Sequence, residues 1–281
     1  MAREMWGGLR LAAIPELSFV PVCRRHSAVP AAVRSRRLGI DNGSKYWDKF
    51  YKHHQNKFFK DRHYLEKDWG QYFRCDDENT TLPHGKVVLE VGCGAGNTIF
   101  PLVARYPKLF VHACDFSTHA IKLLTSHVDF NEEQVNAFVC DVVEDDLCDK
   151  VMPSSVDVAT LIFMLSAVCP KKMHMILQNI RKVLKPEGYI LVRDYAIGDY
   201  AQMELQKRNQ LISENFYVRG DGTCAYFFSE DFLSALFASV GFSIINMEIY
   251  SRKIQNRSQN VTMSRLWIRA AFGQVGNGVL Q

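Results

Sequence analysis

The sequence has no hydrophobic run long enough to cross a bilayer. Its longest largely apolar stretch, residues 158–169, spans 12 of the 281 residues and follows an aspartate. A membrane-spanning helix needs about 20 predominantly apolar residues, so we expect no membrane contact. Apolar residues still make up 47% of the chain and charged residues 23%, which excludes global disorder and permits a sizeable core.

Cysteine is present but has no pattern. The eight cysteines form no C-x-x-C pair and have no regular spacing, so neither a disulfide framework nor a zinc site is indicated. We therefore expect a reducing compartment and no metal. Cys93, Cys114 and Cys140 lie at the ends of predicted strands and are expected to be small buried residues.

The chain also lacks an excess of positive charge outside its first 40 residues. The first 40 residues hold seven arginines and two glutamates, which gives them a formal charge of +5. Because the whole chain carries +4, the remaining residues sum to −1. A near-neutral body excludes a histone-like nucleic-acid binder. Any nucleic-acid contact has to use a local patch.

Residues 1–43 differ from the rest in composition. They are rich in arginine, alanine, valine and proline, and they lack the uninterrupted apolar region of a secretory signal. Two interpretations stay open: a mitochondrial transit-like segment of an organellar protein, or a disordered extension of a cytoplasmic one. We predict a single domain over residues 44–281, with a short flexible tail from about 273.

From residue 44 onward, helical and strand-like patterns alternate. Aromatic residues at helical spacing over 46–51 predict a first helix that leads into a loop. Strand-like runs lie at residues 86–91, 109–114, 137–140, 156–165 and 189–192. Helix-like segments lie between them at residues 97–105, 118–127 and 171–184, the second with Ser117 as its predicted N-cap. Apolar strands separated by helices predict a doubly wound, mostly parallel α/β sheet.

The last third of the chain predicts antiparallel structure. Residues 215–218 and 225–228 flank the turn sequence R-G-D-G-T, which indicates a β-hairpin inserted into the α/β fold. Ser229 is predicted to cap a helix that ends near Gly241. Residues 242–250 and 265–272 predict a closing antiparallel strand pair.

The strongest functional signal is the segment VLEVGCGAGN at residues 88–97. A strand that runs into glycines at the start of a helix lets the backbone approach a ligand closely. Gly92, Gly94 and Gly96 follow the spacing G-x-G-x-G, and Asn97 stands next. Dinucleotide binders have G-x-G-x-x-G, so a nicotinamide enzyme is disfavoured.

Acidic residues end three successive predicted strands. They are Glu90, Asp115 and Asp141, and the carboxyl ends of parallel strands share one crevice. Asp115 suits the paired hydroxyls of a ribose, and Asp141 suits an adenine amine beside the backbone N–H of Val142. One such acid could merely cap a helix. Three together indicate the S-adenosylmethionine (SAM) site of a class I methyltransferase, by resemblance as well as by geometry.

Motifs around the glycine loop carry a narrower resemblance. They are Y-W-x-x-F-Y (46–51), F-F-K-D-R-H (58–63), L-I-F (161–163), F-x-L-S-A (163–167), R-D-Y (193–195) and E-N-F-Y-V-R-G-D-G-T (214–223). Over about residues 44–272 the chain resembles the tRNA N3-methylcytidine methyltransferases, which are class I SAM-dependent enzymes with a Rossmann-like fold. It departs from them at Cys224, where the family usually has arginine.

The resemblance implies an activity and a cofactor site. The activity is methyl transfer from SAM to N3 of cytidine 32 in the tRNA anticodon loop, sometimes with an accessory protein such as seryl-tRNA synthetase. Trp47 and Tyr51 are implied to cover the cofactor. The residues implied to line it are Gly92, Asp115, Asp141, Val142 and Ile162.

The substrate side is expected to combine arginines and aromatic rings. N3 lies on the Watson–Crick edge, so the target cytidine has to be unstacked and unpaired. The residues that we expect to orient the base are Asp194, Arg193 and Tyr195. Those expected to stack on RNA or to hold its phosphates are Phe216, Tyr217, Lys60, Arg62 and Arg219.

Two rival functions stay open at this point. A small-molecule or protein methyltransferase would keep the glycine loop but would have no use for Arg62 and Arg219. A non-catalytic adaptor could bind RNA or a protein partner, although the intact acids argue against it. Trp47 and Tyr51 could also be ordinary core residues, and the hairpin could simply cover a sheet edge.

Overall fold

The computed structural model describes residues 43–56, 58–74, 85–256 and 261–274. Apart from Gly43, the N-terminal extension lies outside the described residues, as do residues 275–281 of the predicted tail. Within the described ranges the helices are α1 (Gly43–His54), α2 (Tyr64–Phe73), α3 (Ile99–Arg105), α4 (Thr118–Thr125), α5 (Met173–Val183), α6 (Tyr200–Lys207) and α7 (Glu230–Ala238).

The strands form one large sheet and one small sheet. The first strands in chain order are β1 (Val87–Val91), β2 (Phe110–Asp115), β3 (Val135–Val139), β4 (Val156–Ile162) and β5 (Leu184–Tyr195). Then come β6 (Leu211–Ser213), β7 (Phe216–Val218), β8 (Cys224–Tyr226), β9 (Phe242–Asn256) and β10 (Val261–Gln274). The seven-stranded sheet has the order β3-β2-β1-β4-β5-β10-β9, and β6, β7 and β8 form the small one.

The topology confirms the predicted doubly wound fold. Strands β1 to β5 pair in parallel, and β10 pairs antiparallel with both β5 and β9. The inner strands β1 and β4 are almost wholly buried, because helices cover both faces of the sheet. The predicted hairpin is confirmed as β7 and β8, with Tyr217 opposite Ala225.

Two hydrophobic layers pack against the sheet, one on each face. On one face, Phe237 of α7 stacks on Phe272 of β10 with ring centroids 3.7 Å apart. On the other, Leu65 and Trp69 of α2 pack with Ile99 of α3. The carboxyl ends of β1, β2 and β4 lie at one rim between these layers, where the rule for open α/β sheets places a ligand.

Local signals explain several helix boundaries. The hydroxyl of Ser117 accepts from the amide of Ala120 at 3.1 Å, and that of Ser229 accepts from Phe232 at 3.1 Å, which confirms both predicted N-caps. Gly241, after α7, has a φ of 83° and lies against Arg181. A side chain there would combine backbone strain with a steric clash.

The described part of the chain contains no helix with both the length and the hydropathy needed to span a bilayer. The same ranges contain no cluster of three His, Cys, Asp or Glu side chains able to hold a metal ion. Cys93, Cys114 and Cys140 are buried, as predicted.

Candidate active site

The glycine loop makes a tight turn between β1 and α3. Gly92, Gly94 and Gly96 have φ values of 72°, 54° and 90°, a region that other residues rarely adopt. A Cβ on Gly92 would lie 2.5 Å from Met164, and one on Gly94 would lie 2.5 Å from the Tyr51 hydroxyl. The loop thus leaves room only for bare backbone, which is the cradle that a closely bound ligand requires.

Asp115 ends β2 directly beside this loop. Its carboxylate accepts from the amides of Gly94 (3.0 Å) and Ser117 (2.9 Å). Burial raises the pKa of Asp115 to about 6, although both amide hydrogen bonds lower it. A carboxylate has about four acceptor positions, so Asp115 can still accept from a ligand hydroxyl.

Helix α1 packs over the glycine loop, with the Tyr51 hydroxyl next to Gly94. Asp48 holds it there by accepting from the Ser117 hydroxyl (2.8 Å) and from the amide of His119 (3.0 Å). Burial raises the pKa of Asp48, but the hydrogen bonds from His119 and Ser117 outweigh it and the net shift is downward. The docked helix presents Trp47 and Tyr51 to the site.

One cavity, which we term the cofactor cavity, collects most of the predicted SAM residues. Six of them line it: Trp47, Tyr51, Gly92, Asp115, Asp141 and Val142. Ile162 lines an adjacent cavity, and Gly94, Gly96 and Glu90 are not among the lining residues that the structure describes. The bare glycine backbone and a buried carboxylate with spare acceptor positions fit the ribose and methionine parts of SAM.

Glu90 lies beneath the loop and is 2% exposed. The Thr160 hydroxyl of the neighbouring strand β4 donates to it. Burial raises the pKa of Glu90 to about 7, against the opposing effects of Thr160, the charge of Arg62 and the hydrogen bond with Thr98. Glu90 therefore links β1 to β4 at the point where the loop begins.

A second cavity, the base cavity, adjoins the first. The two share a wall that includes Trp47, Tyr51, Gly92 and Phe163. Phe163 has a φ of 56°, and its amide donates to the Arg193 carbonyl at 2.7 Å. An aromatic residue in the left-handed region is strained, and such strain concentrates at functional sites. Groups bound in the two cavities would therefore lie next to each other, beside the shared residues.

Two arginines and one serine line the base cavity together with Tyr195. Arg62 donates to the Ile162 carbonyl (3.4 Å) and lies 5.0 Å from the Phe163 ring centroid. Arg219 donates to the carbonyl of Cys224 (3.1 Å) and lies over Tyr195. The cavity therefore has two cations, several aromatic rings and one carboxylate, Asp221, in its lining, groups that can stack on a nucleobase and hydrogen-bond to it.

Asn97 ties the segment 58–63 to the glycine loop. Its side-chain amide donates to the carbonyl of Phe59 (3.3 Å) and to the Asp61 carboxylate (3.1 Å), and its backbone carbonyl accepts from the backbone amide of Arg62 (2.9 Å). The sequence suggested only that Asn97 disfavours a dinucleotide. Its structural role is to hold the backbone of Arg62, whose side chain lines the base cavity.

Asp194 is close to the base cavity without lining it. It is 0% exposed and accepts from the amides of Ser166 and Tyr195, both at 2.9 Å. Burial raises the pKa of Asp194 to about 6, opposed by the hydrogen bonds from Ser166 and Tyr195 and by the charge of Arg219. Ser166 and Tyr195 do line the cavity, so Asp194 is linked to the cavity only through these neighbours.

Arg193 points to the opposite face of β5 from Asp194. It is ion-paired with Asp68 of α2 at 2.5 Å, and its guanidinium carbon lies 3.9 Å from the Tyr64 ring centroid. Successive strand residues alternate between faces. Arg193 therefore reaches a ligand in the base cavity only if this buried ion pair breaks.

Phe216 and Tyr217 are also placed away from both cavities. Each is 2% exposed, and the Tyr217 hydroxyl accepts from Gln206 at 2.9 Å. Stacking on RNA would require the small sheet to open. Lys60, in contrast, is exposed and borders a neighbouring cleft.

Sequence reasoning gave no role to several lining residues. Phe163 and Ser166 belong to the motif F-x-L-S-A, which supported the resemblance but carried no assigned function. Arg265 and Trp267, which line the neighbouring cleft, are two residues apart on β10. This spacing predicts that both lie on the same face of the strand, but nothing in the sequence pairs β10 with β5.

Comparisons with known proteins identify the family of this chain. A family model described as a methyltransferase domain matches residues 89–190. The tRNA N(3)-cytidine methyltransferase METTL6 of Homo sapiens is 42% identical over 231 residues, covering 81% of this chain and 79% of that protein. The tRNA N(3)-methylcytidine methyltransferase trm141 of Schizosaccharomyces pombe is 37% identical over 230 residues, covering 81% of this chain and 91% of that protein.

A solved structure shares the fold at lower identity. It is a SAM-dependent methyltransferase from Methanosarcina mazei, with a TM-score of 0.52 and 19% identity over 70% of this chain and 95% of that one.

Proposed function

Because this chain belongs to the tRNA N(3)-cytidine methyltransferases, we propose that it methylates N3 of cytidine 32 in the tRNA anticodon loop. The observation that carries the proposal is the shared wall between the cofactor cavity and the base cavity. One side offers glycines and carboxylates for SAM, and the other offers rings and arginines for a nucleotide. Neither a small-molecule methyltransferase nor a non-catalytic adaptor accounts for both sides.

SAM supplies a methyl group that its sulfonium makes electrophilic. In the cofactor cavity Asp115 accepts from ribose hydroxyls, and Asp141 with the Val142 amide binds the adenine edge. Trp47 and Tyr51 cover this cavity from α1 and limit the access of water. Each role uses a group whose remaining hydrogen-bonding capacity or surface lines the cavity.

The substrate needs orientation more than proton transfer. N3 of cytidine has an in-plane lone pair and is largely unprotonated at neutral pH, so no general base has to act first. Ser166 and Tyr195 line the base cavity, and the Asp194 carboxylate fixes both through their amides. Holding the base in the base cavity, against the residues shared with the cofactor cavity, aligns N3 with the methyl group, and the rate depends on this alignment.

Arg62 and Arg219 act on the RNA backbone at the rim of the base cavity. Each guanidinium donates to a backbone carbonyl and lies over a ring, and that of Arg219 also donates to the Thr223 hydroxyl. Each is thus positioned while keeping further donors for a phosphate. This is the local basic patch that a near-neutral chain needs for RNA binding.

Sequencing of tRNA from cells that lack this protein tests the proposal. We expect 3-methylcytidine to disappear from position 32 and to return when the wild-type chain is restored. An Asp115→Ala chain, matched in expression, should fail to restore it. Unchanged 3-methylcytidine in the deletion strain would refute the proposed activity.

The resemblance also implies an accessory protein that presents the tRNA, such as seryl-tRNA synthetase. We propose that adding this synthetase lowers the KM for serine tRNA and leaves the KM for SAM unchanged. Steady-state methylation with and without the synthetase measures both constants. An unchanged KM for serine tRNA would exclude this partner.

A further inference from the structure

A third concave surface, the flanking cleft, opens beside the base cavity. Lys60, Arg62 and Arg265 line it together with aromatic side chains that include Tyr195 and Trp267. No carboxylate is among its lining residues in the described part of the chain. The cleft shares Arg62, Tyr195 and neighbouring rings with the base cavity, so the two are compartments of one surface.

The rings and the cation of the cleft are held by the strands that carry them. Trp267 of β10 pairs with Tyr195 of β5 across the antiparallel ladder, and it stacks on Tyr250 of β9 at 5.8 Å between centroids. The guanidinium carbon of Arg265 lies 5.2 Å from the Trp267 ring centroid and 5.9 Å from that of Tyr195. The aromatic platform is therefore rigid before any ligand binds.

Asp199 fixes Arg265 in this position. Asp199 is fully buried and receives the Nε–H of Arg265 at 2.9 Å and the Leu266 amide at 2.8 Å. In the part of the chain that the structure describes, the hydrogen bonds of Arg265 all leave from Nε. Its two terminal amino groups remain available to an anion in the cleft.

We propose that the flanking cleft binds the nucleotide next to the target cytidine, with its base stacked on Trp267 and its phosphate held by Lys60 and Arg265. This inference rests on the proposed function. Single-stranded RNA sites combine aromatic platforms with cations that follow the backbone. When one base leaves the stack and enters the base cavity, its covalently attached neighbour is exposed too, and the cleft lies directly beside it.

The chemistry of the cleft also predicts its selectivity. Its lining residues offer ring faces and positive charge, and stacking on a ring face is tolerant of base identity. The cleft should therefore require a base at the neighbouring position without choosing among the four.

A double-mutant cycle tests this pairing of Trp267 with a neighbouring base. Binding of the full-length chain, saturated with S-adenosylhomocysteine, is measured on full-length tRNA and on tRNAs that are abasic on the 5′ or the 3′ side of the target cytidine. For one of the two sides, we expect base removal to weaken wild-type binding about 5- to 150-fold. In Trp267→Ala the same removal should change the affinity by less than about twofold, and Trp267→Phe should restore most of the effect.

Lys60 gives a second test that does not touch the core, because its side chain is exposed. Lys60→Ala should flatten the slope of log affinity against log salt by about one. Lys122→Ala is the matched control, since Lys122 is exposed on α4 outside the cleft, and its slope should equal that of the wild type. An unchanged slope in Lys60→Ala would contradict the phosphate contact.

The experiments distinguish failure of the flanking cleft from failure of the proposed function. Equal losses on base removal in wild type and Trp267→Ala, for both neighbours, would overturn the flanking cleft while methylation of intact tRNA continued. Failure of the wild-type chain to bind tRNA at all would overturn the proposed function together with it.

Discussion

Asp115 combines burial with a role as a hydrogen-bond acceptor, and burial raises its pKa to about 6. In the role that we propose for Asp115, only the ionised carboxylate accepts from both ribose hydroxyls. We therefore expect SAM affinity at pH 5 to be about tenfold lower than at pH 7, because most of the free protein then carries the proton. Calorimetry in buffers of different ionisation enthalpy should also detect proton release on binding below pH 6.

Asp115→Asn is the control for this pH profile. It should bind SAM about 10- to 150-fold more weakly at pH 7, which corresponds to the loss of a charge-assisted hydrogen bond. Its affinity should not change between pH 5 and pH 7. A wild-type affinity that is flat over this range would show that another group binds the ribose.

Asp194 accepts from the amides of Ser166 and Tyr195, and we propose that it positions these two residues rather than touching the base itself. Asp194→Asn keeps one carbonyl acceptor and loses the charge, so the wall of the base cavity should shift slightly. We expect turnover on tRNA to fall about 10- to 100-fold, with SAM affinity unchanged. Single-turnover methylation and SAM calorimetry measure the two quantities separately, and a loss of SAM binding would argue against this role.

At the scale of elements, the hairpin β7–β8 places Arg219 at the rim of the base cavity. A phosphate contact from Arg219 should release about one counterion, so Arg219→Ala should weaken tRNA binding and flatten its salt slope by about one. Cys224→Arg would add a second cation to the same hairpin and should steepen the slope.

Filter binding across a salt series measures both hairpin variants, with SAM affinity as the control. If neither substitution alters tRNA binding at any salt concentration, the hairpin only covers the edge of the fold.

Elements with strong local signals were predictable from sequence. The alternation of apolar runs and helical segments gave the sheet, and Ser117 and Ser229 gave two helix starts. Helix α2 was not predicted, although Leu65, Trp69 and Phe73 are buried at spacings of four residues. Its sequence is short and rich in aromatic residues, so the local helical signal is weak and the helix depends on tertiary packing.

The site was predictable where it depends on the ends of strands. Asp115 and Asp141 lie at one cavity because parallel strands end together. The partner of Arg193 was not predictable, because its side chain pairs with Asp68 of α2, a helix whose contacts with the sheet depend on the whole fold. That Arg193 and Asp194 point to opposite faces of β5 follows from strand alternation alone.

Across the whole molecule, positive charge is local rather than general. Outside its first 40 residues the chain sums to −1, yet three arginines line the base cavity and the flanking cleft. Specific tRNA binding should therefore be much more sensitive to these few side chains than to bulk charge.

The arginine-rich N-terminus makes a separate prediction about location. If residues 1–40, with seven arginines against two glutamates, act as a transit segment, then residues 1–44 fused to a fluorescent protein should carry it into mitochondria. Fluorescence microscopy with a mitochondrial marker reads the result. Diffuse cytosolic fluorescence would exclude the transit segment and favour a cytoplasmic enzyme.

The most direct test of the account is to find where the methyl group goes. Purified chain is incubated with tRNA and SAM labelled in its methyl group, and the tRNA is then digested to nucleosides for mass spectrometry. The account predicts label in 3-methylcytidine, and its loss when cytidine 32 is replaced by uridine. Label in a different nucleoside, or tRNA that stays unlabelled while SAM is bound, would contradict it.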